Sequence, residues 1–147
     1  MPSLTKTQIC ELIPHRDPFL WLDEVVDVSE TTIRARKLVS PELDVFRGHY
    51  PGQPVLPGVL LCEAAMQAGS VLIARQLAGE IPAGHVPVAT RINNVKFRHM
   101  VRPGDILDIQ VTFTERLGQA YFMTAKVGVS GKTAAHLEFA CTVTAAE

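Results

Sequence analysis

Apolar residues recur at every second position in three segments near the C-terminus: Ile109 to Phe113, Tyr121 to Val129, and Leu137 to Val143. A period of two is typical of β-strands that bury one face. The segments are separated by Leu117-Gly118-Gln119 and by Ser130-Gly131-Lys132, and glycine in such short connections favours tight turns. The pattern therefore predicts three consecutive antiparallel strands.

The N-terminal part of the chain contains shorter candidate elements. Two segments rich in β-branched and apolar residues flank Ser29-Glu30 and predict a hairpin. The predicted elements are a helix from Thr5 to Leu12, strands from Phe19 to Val28, from Thr31 to Val39 and from Val88 to Arg98, and an irregular segment with one helical turn from Pro41 to Tyr50.

A long helix is predicted to begin at Pro57, a residue suited to the first helical position, and to end before Gly79. As far as Ala74, its only polar side chains are those of Glu63, Gln67 and Ser70. A helix that is apolar nearly all round must be enclosed by other structure. A curved antiparallel sheet wrapped around this long central helix would enclose it, which predicts an α+β fold in a single domain over residues 1–147.

The same helix lies within a membrane-like run from Val55 to Leu77. Glu63 would place a charge inside the bilayer, and Pro57 would break the span early. We therefore expect a buried helix of a soluble protein and no membrane-spanning segment.

Composition narrows the classes of partner. The net charge is −1 and 47% of residues are hydrophobic, which gives the molecule no general attraction to nucleic acid or to anionic membranes. The three cysteines are widely spaced and form no CxxC pair, and the N-terminus lacks the apolar run of a signal peptide. These features favour reduced thiols and a cytoplasmic location.

Candidate chemistry lies in the loop before the long helix and on the helix itself. His49 stands between Gly48 and Pro51-Gly52, residues that shape the backbone where a side chain must be aimed. Glu63, Gln67 and Ser70 share one helix face. Burial disfavours the charged form of a carboxylate, so Glu63 could act as an acid near neutral pH; the alternative is a structural carboxylate paired with an arginine or backbone amides.

Other polar residues have more ordinary explanations. His15 is interpreted as a capping or packing residue, and no histidine or cysteine spacing indicates a metal site. The Gly58 N–H, at the positive end of the helix dipole, could polarise a carbonyl oxygen, or Pro57-Gly58 could simply start the helix. A basic cluster could hold a phosphate or an acidic carrier protein, or form a solvated strand edge; it consists of Arg91, Lys96, Arg98, His99 and Arg102.

These motifs together resemble one enzyme family, the β-hydroxyacyl-acyl carrier protein dehydratases of the FabZ type, which have the hotdog fold. The resemblance covers nearly the whole chain, and its most specific part is the GHxPGxPxxPG block followed by a helix glutamate. The matching segments are Pro14-His15-Arg16, Pro18-Phe19-Leu20, Gly48-His49-Tyr50-Pro51-Gly52-Gln53-Pro54, Pro57-Gly58-Val59-Leu60, Glu63-Ala64, Gln67, Lys96-Phe97-Arg98 and Pro103-Gly104-Asp105.

The resemblance implies dehydration of a (3R)-3-hydroxyacyl group to the trans-2-enoyl product in fatty acid biosynthesis, without a cofactor or metal. The acyl chain would be carried on the phosphopantetheine of acyl carrier protein. His49 and Glu63 would be the catalytic pair, contributed by opposite subunits of a homodimer, and such dimers commonly assemble into trimers of dimers. The Gly58 N–H would bind the thioester carbonyl, and Gln67 would help to hold Glu63.

Four departures from the family pattern bear on acyl chain length and on the pathway that the protein serves. Asp17 stands where the family often has an aromatic residue, Tyr50 replaces the commoner phenylalanine, and Ala65-Met66 reverses the usual order of these residues. The segment from Pro41 to Val45 lacks the Asn-Glu pair that usually precedes the histidine loop. Two other hypotheses remain beside dehydration. One is a hotdog acyl thioesterase, and the other is a non-catalytic hotdog protein that binds an acyl thioester.

Overall fold

The structure is a computed structural model that describes residues 2–145. Within these residues the chain forms two α-helices, α1 (Lys6–Leu12) and α2 (Gly58–Gln76), and one 3-10 turn at Asp44–Arg47. The six strands are β1 (Glu24–Val28), β2 (Thr32–Leu38), β3 (His85–Phe97), β4 (Ile106–Leu117), β5 (Ala120–Val129) and β6 (Lys132–Ala145).

The strands form one antiparallel sheet in the order β1-β2-β4-β5-β6-β3. The three C-terminal strands are consecutive neighbours, as their period of two predicted, and Gly118-Gln119 and Ser130-Gly131 connect them. The strand β3 joins this set beside β6 and forms one edge of the sheet. Its partner strand lies on one side only, so its other side carries unpaired backbone groups.

Helix α2 is the centre of the core, as its apolar surface predicted. Over 18 residues of α2 the mean hydropathy is 1.3, and 67% of these residues are buried. The apolar character of α2 is therefore that of a core helix. The inner faces of β4, β5 and β6 pack against it, and the fully buried Phe139 of β6 lies close to Gly69. The α+β fold with a long helix enclosed by an antiparallel sheet is confirmed.

The boundaries of three elements differ from the prediction. Strand β1 begins at Glu24 rather than Phe19, because the backbone before it binds the amide of Gln67 instead of a neighbouring strand. Strand β3 begins at His85 and includes Pro87, which an edge strand tolerates because one side needs no hydrogen bond. Helix α2 has Pro57 as its N-cap and ends at Gln76.

Candidate active site

His49 is held in one orientation by its own loop. The ring Nδ1 lies 2.9 Å from the carbonyl oxygen of Val55, and the Val55 N–H donates to the His49 carbonyl at 3.0 Å. Tyr50 stacks on the imidazole with 4.4 Å between ring centroids. A carbonyl can only accept, so Nδ1 carries the hydrogen and the neutral ring keeps a lone pair on Nε2. His49 is thus arranged to accept a proton at Nε2.

Glu63 projects from the second turn of α2 and is tied to Gln67. Its Oε2 accepts a hydrogen bond of 2.9 Å from the Gln67 side-chain amide, which also donates to the Phe19 carbonyl at 2.9 Å. The oxygen of the same amide accepts from the Trp21 N–H at 2.7 Å. Gln67 is fully buried, so this helix face is a fixed polar network. It joins the glutamate to the segment before β1.

Ser70 lies outside this network although it shares the helix face. Its hydroxyl donates to the Met66 carbonyl one turn earlier, at 3.1 Å. Serine hydroxyls inside helices commonly bond back to the preceding turn. The polar stripe predicted from the sequence therefore joins Glu63 to Gln67 by a hydrogen bond, whereas Ser70 bonds only within the helix.

His15 is brought to the glutamate, which the sequence did not indicate. Its Nε2 lies 3.7 Å from the Glu63 Oε2, and about a quarter of each side chain is exposed (25% and 23%). Burial lowers the pKa of His15, the nearby Arg16 adds to this effect, and Glu63 opposes it. The capping role expected of His15 belongs instead to Arg16, which donates to the carbonyls of Ile13 and Cys10 near the end of α1.

Gly58 begins α2 beneath an aromatic ring. A Cβ at this position would lie 2.8 Å from the Phe97 ring, so a side chain there would displace the ring or the helix start. Within residues 2–145, no backbone acceptor pairs with the Gly58 N–H. An N–H group in the first turn of a helix has no intrahelical partner and adds to the positive end of the dipole. The position is suited to binding a carbonyl oxygen.

The two central side chains, His49 and Glu63, have different hydrogen-bond partners within one chain. Across residues 2–145, no hydrogen bond or ion pair joins His49 to Glu63. Each is fixed by its own surroundings: the histidine by the Val55 carbonyl and the glutamate by Gln67.

Cys141 is a third titratable group close to Glu63. Burial, with a smaller contribution from the charge of Glu63, raises the pKa of the Cys141 thiol to about 12. A thiol with such a pKa is protonated at neutral pH and is a poor nucleophile. Cys141 therefore acts as a small apolar side chain behind the carboxylate.

A groove of about 380 Å³ adjoins the His49 loop. It is lined by the loop residues Tyr50 and Val55 and by Met100 and Arg102 of the segment after β3. Arg102 belongs to the basic cluster, and its side chain and those of Lys96, Arg98 and His99 are exposed. A mainly apolar groove that includes Arg102 in its lining thus adjoins the His49 loop.

A long helix enclosed by an antiparallel sheet, with a loop histidine before the helix and a glutamate on it, defines the class of hotdog dehydratases. The model of the FabA-like domain family matches residues 13–138, which include all the residues of the site. The chain belongs to the FabA-like family and, within it, to the FabZ-type dehydratases.

The curated relatives are similar along almost their entire length. The 3-hydroxyacyl-[acyl-carrier-protein] dehydratase FabZ of Lactococcus lactis subsp. cremoris is 39% identical over 133 residues, which is 90% of each chain. That of Oenococcus oeni is 40% identical, with 85% of this chain and 91% of the relative covered. That of Campylobacter hominis is 36% identical, with 89% and 91% covered.

Solved structures confirm the fold at lower identity. A chain of the dehydratase heterocomplex ApeI:P from Xenorhabdus doucetiae superimposes with a TM-score of 0.79 at 18% identity, with 92% of this chain and 90% of that chain covered. The protein PH1136 from Pyrococcus horikoshii gives a TM-score of 0.66 at 17% identity, with 87% of each chain covered.

Proposed function

We propose that this protein dehydrates (3R)-3-hydroxyacyl groups on acyl carrier protein to trans-2-enoyl groups in fatty acid biosynthesis, with His49 and Glu63 as base and acid. The observation that carries the proposal is the separate fixation of these two side chains. The hydrogen bond of His49 to Val55 leaves Nε2 free, and the bond from Gln67 fixes the carboxyl of Glu63. Relatives at 36–40% identity carry this activity in their names.

The reaction needs a base, an acid and a donor to the thioester oxygen. Nε2 of His49 takes the proton from C2, and the C–H electron pair forms the C2=C3 bond. The C3–O bond breaks, and the carboxylic acid of Glu63 gives its proton to the departing hydroxyl, which leaves as water. The Gly58 N–H stabilises the negative charge that develops on the thioester oxygen. Atoms and charges balance without a cofactor.

We infer that the working unit is a homodimer in which each site takes His49 from one subunit and Glu63 from the other. Support comes from the edge strand β3, whose exposed side chains include the large apolar residues Val88, Ile92 and Phe97. Val59 at the start of α2 is also 69% exposed. Exposed apolar side chains along an unpaired edge strand favour association with another chain. Trimers of such dimers are the further assembly that we propose.

The groove beside His49 is the proposed entry for the carrier. Its apolar walls suit the phosphopantetheine arm, and the basic cluster suits the acidic surface of acyl carrier protein. A cytoplasmic location agrees with three free cysteines.

The test is an assay of the purified protein with a 3-hydroxybutyryl thioester of acyl carrier protein. Enoyl absorbance that increases without release of free thiol would support the dehydratase. Thiol release without enoyl formation would instead identify a thioesterase, and binding with neither product would identify an acyl-thioester-binding protein. We expect His49→Ala and Glu63→Gln each to lower kcat by roughly 100-fold or more. An unchanged rate in either variant would remove that residue from the mechanism.

A further inference from the structure

We propose that His15 is a positioning residue for Glu63. Together with Gln67 it directs N–H groups at one carboxyl oxygen, Oε2, so that the proton given to the departing hydroxyl lies on the other oxygen, Oε1. This inference rests on the proposed function, because it concerns the acid of that reaction. It assigns a role to a histidine that does not contact the reacting atoms.

The first step is the orientation of Gln67. The oxygen of its amide accepts from the Trp21 N–H at 2.7 Å, so the amide nitrogen must be the atom that faces Glu63. An amide nitrogen donates only. Oε2 of Glu63 therefore accepts the hydrogen bond from Gln67 and does not have to carry a proton to form it.

The second step is the tautomer of His15. Burial and Arg16 lower its pKa, which favours the neutral ring with a single N–H group. Its Nδ1 is buried and has no hydrogen-bond partner in the described part of the chain. A buried N–H without an acceptor is costly, so the hydrogen belongs on Nε2, the nitrogen that lies 3.7 Å from the Glu63 Oε2.

The contact of 3.7 Å is longer than a hydrogen bond and is electrostatic in this structure. A movement of about 0.7 Å would bring the two atoms to hydrogen-bond distance. The position of the ring is set by its neighbours: Arg16 fixes the backbone by donating to the carbonyls of Ile13 and His15. Three residues later the same segment binds Gln67 through the Phe19 carbonyl.

The third step is the free oxygen. Among residues 2–145, no group forms a hydrogen bond with Oε1 of Glu63, whereas Oε2 faces both N–H groups. Cys141, whose thiol is protonated, is within electrostatic range of the carboxyl. Arg16 acts electrostatically on His15, and its guanidinium is engaged with backbone carbonyls. In the proposed dimer, His49 of the other subunit would face the carboxyl of Glu63. A proton on Oε1 is the arrangement that leaves Oε2 free to accept from both N–H groups.

The test compares two substitutions of the same residue. We expect His15→Phe to lower kcat between roughly 10-fold and 100-fold, because a misplaced acid loses its alignment, with KM changed by no more than about twofold. His15→Gln keeps an N–H group at the position of Nε2 and should recover most of kcat. The matched control is His136→Phe, a half-buried histidine of β6, which should retain full activity.

A second measurement needs no turnover. Nitrogen-15 spectra of the histidine rings in the wild-type protein should show His15 as the neutral Nε2–H tautomer at pH 7, and Glu63→Gln should shift its Nε2 resonance. The opposite tautomer would overturn the inference even if His15→Phe did not fold.

The outcomes separate this inference from the proposed function. A wild-type protein that forms no enoyl product would refute the function. A wild-type protein that does, with Glu63→Gln inactive and His15→Phe fully active, would refute the role of His15 alone. Equal losses in His15→Phe and His15→Gln would also refute it, since the N–H group would then be irrelevant.

Discussion

The side-chain amide of Gln67 forms three hydrogen bonds, and together they fix the position of Glu63. Two of them bind the backbone of Phe19 and Trp21, and the third binds the carboxyl itself. A buried amide in such a network has a single acceptable orientation, because each alternative leaves a donor or an acceptor unpaired. The orientation of the Glu63 carboxyl is thus set by the segment before β1, whose contacts with Gln67 span 46 and 48 positions along the chain.

The reactivity of the three cysteine thiols tests how deeply each of these residues is buried. Burial raises the pKa of Cys62, and it raises that of Cys141 to about 12. Because the thiolate is the reactive form, we expect iodoacetamide at pH 7.5 to modify Cys10, which is half-buried, much faster than either of the others. Mass spectrometry of peptides would measure this.

The unfolded protein is the control for that experiment, since all three thiols should then react at similar rates. Rapid alkylation of Cys141 in the folded protein would contradict the burial of this residue in the core.

At the scale of elements, α2 depends on small residues where the sheet closes over it. A Cβ on Gly69 would lie 2.7 Å from the ring of Phe139, which is 1% exposed and cannot move aside into solvent. We expect Gly69→Ala to lower the free energy of unfolding by about 1–3 kcal/mol, as overpacking does, although alanine is the better helix former. Urea denaturation would measure the change.

The double variant Gly69→Ala with Phe139→Leu is the control for this prediction. The smaller side chain removes the clash, so the penalty of alanine should be much smaller in this background. If Gly69→Ala alone were as stable as the wild type, the Phe139 ring or the sheet around it would be able to move away from the new side chain, which would contradict the prediction.

The sequence predicted the elements that follow from a local pattern. The strands β4, β5 and β6 have a clear period of two, and α2 is too apolar to be anything but enclosed. The start of β1 was wrong because Phe19 and Trp21 have strand-like side chains while their backbone binds Gln67. That bond joins residues far apart along the chain, and no local pattern encodes it.

The candidate site was predictable to the same extent. The sequence predicts His49 and Glu63 as site residues because their residue types and settings point to proton transfer, and this stays a prediction. His15 was not found, since its contact with Glu63 spans 48 positions and exists only once Arg16 and Gln67 have fixed the intervening segment. The Pro14-His15-Arg16 motif gave no sign of whether His15 or Arg16 would cap the helix.

At the scale of the whole molecule, the proposed mechanism places the two halves of each site on different chains. The histidine and the glutamate of one chain are each fixed, and among residues 2–145 no hydrogen bond or ion pair joins them. The strand β3 leaves an edge unpaired and exposes large apolar side chains along it. A two-fold symmetric dimer repeats each contact, so closing one shared site closes the other as well. Activity should therefore require association.

Mixing two inactive variants tests this arrangement. His49→Ala and Glu63→Gln each lack one member of the pair, and neither should be active alone. If subunits exchange at random, half of the dimers contain one of each, and one of their two shared sites is intact, so roughly a quarter of the wild-type activity should return. If each chain instead carried a complete site, no mixture could restore activity, because every chain would lack one catalytic group. Dilution of the wild-type protein below the dissociation constant of the dimer should abolish turnover if the site is shared between subunits. If each chain carried a complete site, the rate per chain should stay unchanged on dilution.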